Sequence, residues 1–181
     1  MRELADSRKV RAFVEELGRA CTGPGRVYLV GGATAVLYGW RGTTVDIDLK
    51  LDPEPAGAFG AIRLLKEQLN VSVELASPDA FVPPIPGWQE RSPVIDHVGL
   101  VEFRHFDLYT QAFAKIERGH ERDESDVRAM IARGLVNPSK LRESIHRAIE
   151  QIERYPHLDA TSLSAKVEAF LVEIEAQNGT A

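Results

Sequence analysis

The spacing of apolar residues along the first part of the chain predicts alternating helices and strands. Residues 3–20 carry apolar side chains at helical spacing, and this predicted helix ends before the breaker sequence CTGPG. The run RVYLV (26–30) is typical of a short buried strand, and ATAVLYG (33–39) favours a short packed helix. TVDIDLKL (44–51) alternates apolar and polar residues, which predicts a strand with one apolar and one polar face.

The same kind of pattern predicts the next elements, up to a proline-rich segment. A helix is predicted over 53–70 and a third strand over 71–75. Residues 76–92 contain four prolines and are predicted to be a long loop or edge segment. Residues 94–106 are predicted to form a hairpin that turns near Gly99.

From residue 107 onward the pattern becomes helical, with Asp123 as a predicted N-cap and Gly134 as a predicted C-cap. The predicted helices span 107–118, 123–133, 138–153 and 161–177. The chain is therefore expected to have an α/β (α+β) core with a mixed sheet over 1–106. A helical C-terminal region over 107–181 is expected to pack on that core.

The composition is ordinary for a globular protein and identifies no function. The chain has 181 residues, 44% of them hydrophobic, and a net charge of −5, which does not favour non-specific nucleic-acid binding. No apolar run reaches the roughly 18 to 20 residues that span a bilayer, and the N-terminus is charged, so neither a membrane association nor a secretory signal is expected. The single cysteine, Cys21, fits a reducing compartment, so a cytoplasmic location is expected.

Two carboxylates in the middle of a predicted strand are the most informative chemical feature. Asp46 and Asp48 share the polar face of 44–51, roughly 6.5 to 7 Å apart along the backbone. Either this face is simply solvated, or the two charges converge on a cation that relieves their repulsion. Mg²⁺ or Mn²⁺ suits such oxygen ligands, and a third acid would complete a two-metal site for phosphoryl transfer. Glu74, at the end of the third strand, is the preferred third acid, and Asp107 is its rival.

A glycine pair lies ahead of this strand in the sequence. Gly31 and Gly32 directly follow the strand 26–30 and lead into a helix, where exposed backbone N–H groups can approach a phosphate. Arg41 and Thr44, ahead of the aspartates, add a guanidinium and a hydroxyl that suit the same polyphosphate. A polyphosphate is therefore the expected ligand of this segment.

The stretch GGATAVLYGWRGTTVDIDL resembles the signature of the nucleotidyltransferase (polymerase β-like) superfamily. It is most similar to a bacterial branch related to the AbiE-type abortive-infection toxins, and FDLYTQAFAKIERGHERDESDV is also similar to that branch. The resemblance implies an enzyme that transfers a nucleoside monophosphate from an NTP to an acceptor hydroxyl. It further implies Asp46 and Asp48 as metal ligands, Gly31 and Gly32 as the triphosphate loop, and important positions for Lys115 and Asp123. We expect catalytic roles for Lys115 and Asp123, and Lys115 is also expected to bind the nucleotide by neutralising its β- or γ-phosphate.

The resemblance leaves the acceptor and several residue roles open. A toxin-like enzyme would modify tRNA or a protein and would have a cognate antitoxin. An aminoglycoside-type enzyme would need an acidic pocket, for which Glu90 and Asp96 are candidates. The third alternative is a non-catalytic nucleotide-binding module. For single residues the simpler interpretations are helix capping by Asp123, packing of the Lys115 stem, and surface or strand-edge positions for the histidines, including His105.

Overall fold

The computed structural model describes residues 2–178, and the chain divides into two compact units. The first unit comprises Met1–Ser77 and Ser92–Phe106, and the second comprises Pro78–Arg91 and Asp107–Ala181. Residues 78–91, which were assigned from the sequence to the first region, group with the helices that follow 107. In the part of the chain that is described, no helix is both long enough and apolar enough to cross a membrane.

The first unit contains a five-stranded sheet and three helices. The strands are β1 (Gly25–Val30), β2 (Asp46–Leu51), β3 (Ser72–Leu75), β4 (Val94–Val98) and β5 (Val101–His105). The helices are α1 (Ser7–Ala20), α2 (Gly31–Tyr38) and α3 (Ala58–Gln68).

The second unit is helical. Its helices are α4 (Trp88–Arg91), α5 (Leu108–Arg118), α6 (Glu121–Ala132), α7 (Pro138–Ile149) and α8 (Ala160–Asn178), with single 3₁₀ turns at Pro78–Ala80 and Ile152–Arg154. Apolar side chains from α5 to α8 are buried, and Arg142 of α7 pairs with Glu168 and Glu175 of α8.

The sheet has the order β3-β2-β1-β5-β4. β1 pairs antiparallel with β2 and parallel with β5, β2 pairs parallel with β3, and β4 and β5 form an antiparallel hairpin. The predicted mixed sheet and the hairpin are therefore confirmed, and Gly99 adopts a left-handed φ of 61° at the hairpin turn. Apolar residues of α1, α2 and α3 form one core with residues of β1, β2, β3 and β5.

Several predicted boundaries are wrong for local reasons. Helix α1 begins at Ser7 because Asp6 caps it and accepts the Lys9 N–H, while Ala5 pairs with Thr44 as an isolated bridge. Helix α3 begins only at Ala58, after two prolines and Gly57, whose φ is 84°.

Two further boundaries differ near the candidate site residues. Helix α2 begins at Gly31 rather than at residue 33. Helix α6 begins at Glu121 with His120 as its N-cap, so the prediction that Asp123 caps this helix is wrong. Asp123 instead lies in the first helical turn with Glu121 and Glu124, where the helix dipole favours acids.

Candidate functional site

Strand β2 places the two aspartates on one face of the sheet. Ile47 and Leu49 are fully buried in the core, whereas Asp46 and Asp48 alternate with them and are half-buried. The period of two seen in the sequence therefore corresponds to the real orientation of this strand. Both carboxylates belong to the face opposite the hydrophobic core.

The strand register sets which groups surround Asp48. Asp48 lies opposite Val30 of β1 on one side and opposite Glu74 of β3 on the other. Directly paired residues project from the same face, and neighbouring strands are about 4.8 Å apart, so Glu74 is a lateral neighbour of Asp48. Asp46 is paired with Ser72 instead. Glu74 is exposed to solvent.

The rival third acid, Asp107, has a different environment in the second unit. It is only 1% exposed and caps α5 by accepting the N–H groups of Tyr109 and Thr110 and the Thr110 hydroxyl. Arg91 also binds both of its carboxylate oxygens, at 2.8 and 3.1 Å. The oxygens of Asp107 are thus engaged in holding α5 and Arg91 together.

The glycine pair meets the aspartate strand at the start of α2. Gly31 has a φ of 55°, a left-handed conformation that glycine adopts without penalty. A β-carbon at position 31 would lie 3.2 Å from Asp48 Oδ2, so the absence of a side chain lets the carboxylate approach the backbone. Val30, the residue before α2, makes no side-chain capping bond. A carboxylate therefore lies at the positive end of a short helix, which is a favourable position for negative charge.

Thr44 and Arg41 lie next to the second glycine. A β-carbon at Gly32 would lie 1.9 Å from Thr44 Oγ1 and 3.6 Å from an Arg41 guanidinium nitrogen. The Thr44 hydroxyl donates to the Asp46 carbonyl oxygen at 3.0 Å. Gly31, Gly32, Arg41, Thr44, Asp46 and Asp48, all expected from the sequence to act together, are thus gathered within the first unit.

His105 was expected at the surface or a strand edge, but it is only 7% exposed in an interior strand. The Thr34 hydroxyl donates to the Leu29 carbonyl oxygen, so it accepts from His105 Nδ1, which lies 3.1 Å away and carries the proton. Burial, with a smaller contribution from Arg11, lowers the pKa of His105 from 6.5 to about 4. The signal in the sequence was the alternation in VEFRH, which places His105 on the same face as the buried Val101 and Phe103.

The other predicted site residues, Lys115 and Asp123, form a buried charge cluster in the second unit. Lys115 is 5% exposed, and its Nζ contacts Asp123 Oδ1 at 3.1 Å and Asp126 Oδ2 at 2.6 Å. Arg118 donates two hydrogen bonds of 2.7 Å to Asp123. Burial alone would raise the pKa of Asp123, but Arg118 and Lys115 outweigh it and hold that pKa below its usual value. The partner that sequence reasoning missed is Asp126, signalled by the D-x-x-D spacing.

Two arginines of α5 and α6 bind partners within the second unit. Arg118 binds Asp123, and Arg128 binds Glu173 and Gln177 while lying over the Phe170 ring. These two guanidinium groups stabilise helix packing within the second unit.

Within residues 2–178, no three His, Cys, Asp or Glu side chains are grouped as a ready-made metal site. Comparison with protein-family models, curated proteins and solved structures finds no match to this chain.

The buried imidazole predicts an acid-sensitive fold. Since the unfolded state of His105 binds a proton near pH 6.5 and the folded state only near pH 4, stability is complete above pH 6.5 and falls as the pH falls towards 4. The His105 contribution to this loss is expected to reach about 3 kcal/mol. His105→Asn retains a donor for Thr34 but does not titrate. Urea unfolding at pH 7 and pH 4.5 should show a smaller loss for His105→Asn than for the wild type, and equal losses would contradict this assignment.

The charge cluster predicts a structural penalty when its lysine is neutralised. Lys115→Met preserves the length of the side chain but leaves Asp123 and Asp126 buried without their shared cation. The free energy of unfolding should fall by about 3 to 5 kcal/mol. Lys140→Met, at an exposed lysine of α7, is the matched control and should be nearly neutral. A Lys115→Met protein as stable as the wild type would show that the cluster does not hold α5 and α6 together.

Proposed function

We propose that this chain is a metal-dependent nucleotidyltransferase that transfers a nucleoside monophosphate from an NTP to an acceptor hydroxyl. The observation that carries the proposal is the position of the Asp48 carboxylate, 3.2 Å from where a β-carbon of Gly31 would lie. A carboxylate that can hold a cation and a helix N-terminus that can accept a phosphate are thereby neighbours in the first unit.

The donor set suits Mg²⁺ or Mn²⁺. Mg²⁺ binds through one or two carboxylates and completes its shell with water and substrate phosphates, so a preformed cage of three protein ligands is not required. Asp46 and Asp48 are the two carboxylates that would hold it, and Glu74, paired with Asp48, is the third acid within reach of the same face. When bound, the cation would neutralise the triphosphate and favour departure of pyrophosphate.

The remaining groups of the first unit have roles that follow from their positions. The first turn of α2 presents backbone N–H groups, and without side chains at Gly31 and Gly32 a phosphate can approach them closely. Arg41, half-buried beside Gly32, supplies positive charge for the same phosphates. Positioning and charge neutralisation would provide most of the rate acceleration, as in other phosphoryl transfers.

The class of acceptor is proposed from the resemblance to the AbiE-type toxins alone. On that basis the acceptor is tRNA or a protein, and a cognate antitoxin restrains the enzyme. Lys115 and Asp123, which the resemblance also marks as functional, pair with each other in the second unit. If these two residues act in transfer, they do so while paired with each other.

The proposal predicts that neutralising either aspartate abolishes transfer without unfolding the protein. Asp48→Asn is a sharp test because asparagine has nearly the same size and still accepts hydrogen bonds but is a poor ligand for Mg²⁺. Asp46→Asn and Asp48→Asn should each reduce transfer by at least about 100-fold, since a bound cation is worth several kcal/mol in the transition state. The measurement is transfer of label from each α-³²P NTP, with Mg²⁺, to bacterial tRNA or lysate protein.

The matched control is Glu54→Gln, which neutralises an exposed acid of the same unit and should leave transfer unchanged. Label on RNA or on protein with the wild type alone would also identify the acceptor class. Transfer that survives in both aspartate variants would contradict the proposal. Binding of NTP without transfer to any acceptor would favour the non-catalytic module.

A further inference from the structure

Position 32 requires glycine because the neighbouring Thr44 leaves no room for a side chain, and not because of the backbone conformation. Its φ is outside the left-handed region, which in this part of the chain is adopted by Gly31. A β-carbon at position 32 would lie 1.9 Å from Thr44 Oγ1 and 2.8 Å from Thr44 Cβ. Real β-carbons do not approach other atoms so closely. The Thr44 side chain therefore occupies the space that any other residue at position 32 would need.

Thr44 is held firmly in this space. Its backbone N–H and carbonyl oxygen both pair with Ala5, at 2.9 and 2.8 Å. Its hydroxyl donates to the Asp46 carbonyl oxygen at 3.0 Å, and the residue is 5% exposed. Because a hydroxyl has a single proton, the bond to Asp46 uses the donor that a phosphate would require. Thr44 thus contacts the first turn of α2 on one side and the beginning of β2 on the other.

We propose that Thr44 is a positioning residue that sets the distance between the start of α2, at Gly31 and Gly32, and the two aspartates. This inference rests on the proposed function, because that distance matters only if Asp46, Asp48 and the start of α2 act on one nucleotide. The Thr44 side chain acts as a spacer against Gly32, and its hydroxyl orients the backbone from which Asp46 projects. Misplacement of reacting groups by about 1 Å lowers rates strongly, so loss of this spacer lowers the rate of the chemical step.

The kinetic test uses two variants that differ by one hydroxyl. Thr44→Val keeps the shape of the side chain and removes the hydrogen bond to Asp46, whereas Thr44→Ser keeps the hydroxyl. In the label-transfer assay, kcat of Thr44→Val should fall at least tenfold, with KM for the NTP changing less than threefold, as expected for lost positioning without lost binding. Thr44→Ser should recover most of kcat. A purely structural role would lower the amount of folded enzyme but leave kcat per folded molecule unchanged, so kcat is expressed per folded enzyme, with the folded fraction measured by circular dichroism.

A second measurement tests the spacer itself without relying on activity. Gly32→Ala should lower the urea midpoint because its new β-carbon collides with Thr44. The double variant Gly32→Ala with Thr44→Gly removes the obstacle, so its midpoint should lie above that of Gly32→Ala. Additive losses in the double variant would overturn the contact.

The possible outcomes separate the two proposals. An active wild type with reduced kcat in Thr44→Val and recovery in Thr44→Ser supports positioning by Thr44. An active wild type with unchanged kcat in Thr44→Val overturns positioning and leaves the transferase proposal standing. A wild type that transfers nothing to any acceptor overturns both.

Discussion

The antiparallel register between β1 and β2 is the constraint on which the candidate site depends. It places Asp48 opposite Val30, the last residue before the glycine turn, and so brings the second aspartate to the start of α2. Because side chains alternate along a strand, a slip of one residue would turn both aspartates into the core and Ile47 outward. Burial of Ile47 and Leu49 therefore maintains the same register that the proposed chemistry requires.

The charged side chains of the two units have different environments. In the first, Asp46 and Asp48 are half-buried on a sheet face. Carboxylates in such a position are accessible to a cation that also binds phosphates. In the second, two bases and two acids, Lys115, Arg118, Asp123 and Asp126, satisfy one another in a largely buried network. Desolvation of these charges offsets much of their mutual attraction, whereas removal of one partner leaves an uncompensated buried charge and is costly.

The features that could be predicted from the sequence depend on residues that are close together in the chain. The alternation in TVDIDLKL is visible without any partner strand, so the shared face of Asp46 and Asp48 followed directly. The breaker sequence CTGPG marked the end of α1, because glycine and proline act on their own segment, whereas the prolines before α3 were wrongly included in its predicted helix. The glycine pair was recognised as a turn, although α2 already begins at Gly31.

What could not be predicted depends on partners that are distant along the chain. The pairing of Glu74 with Asp48 follows from a β2–β3 register that no local pattern encodes. The steric requirement for Gly32 depends on Thr44, and the contact of His105 with Thr34 joins residues 71 positions apart in the chain. The oxygens of Asp107, the alternative third acid, are engaged by Arg91 and by the first turn of α5, and no local pattern indicates the contact with Arg91.

The most direct test of the central claim is a crystal structure of the chain with Mn²⁺ and a non-hydrolysable NTP analogue, using the anomalous signal of manganese to locate the ion. The account predicts a manganese peak within about 2.5 Å of carboxylate oxygens of Asp46 and Asp48. The analogue's phosphates should lie at the first turn of α2. A nucleotide bound elsewhere, or manganese absent from both aspartates while the nucleotide is bound, would contradict it.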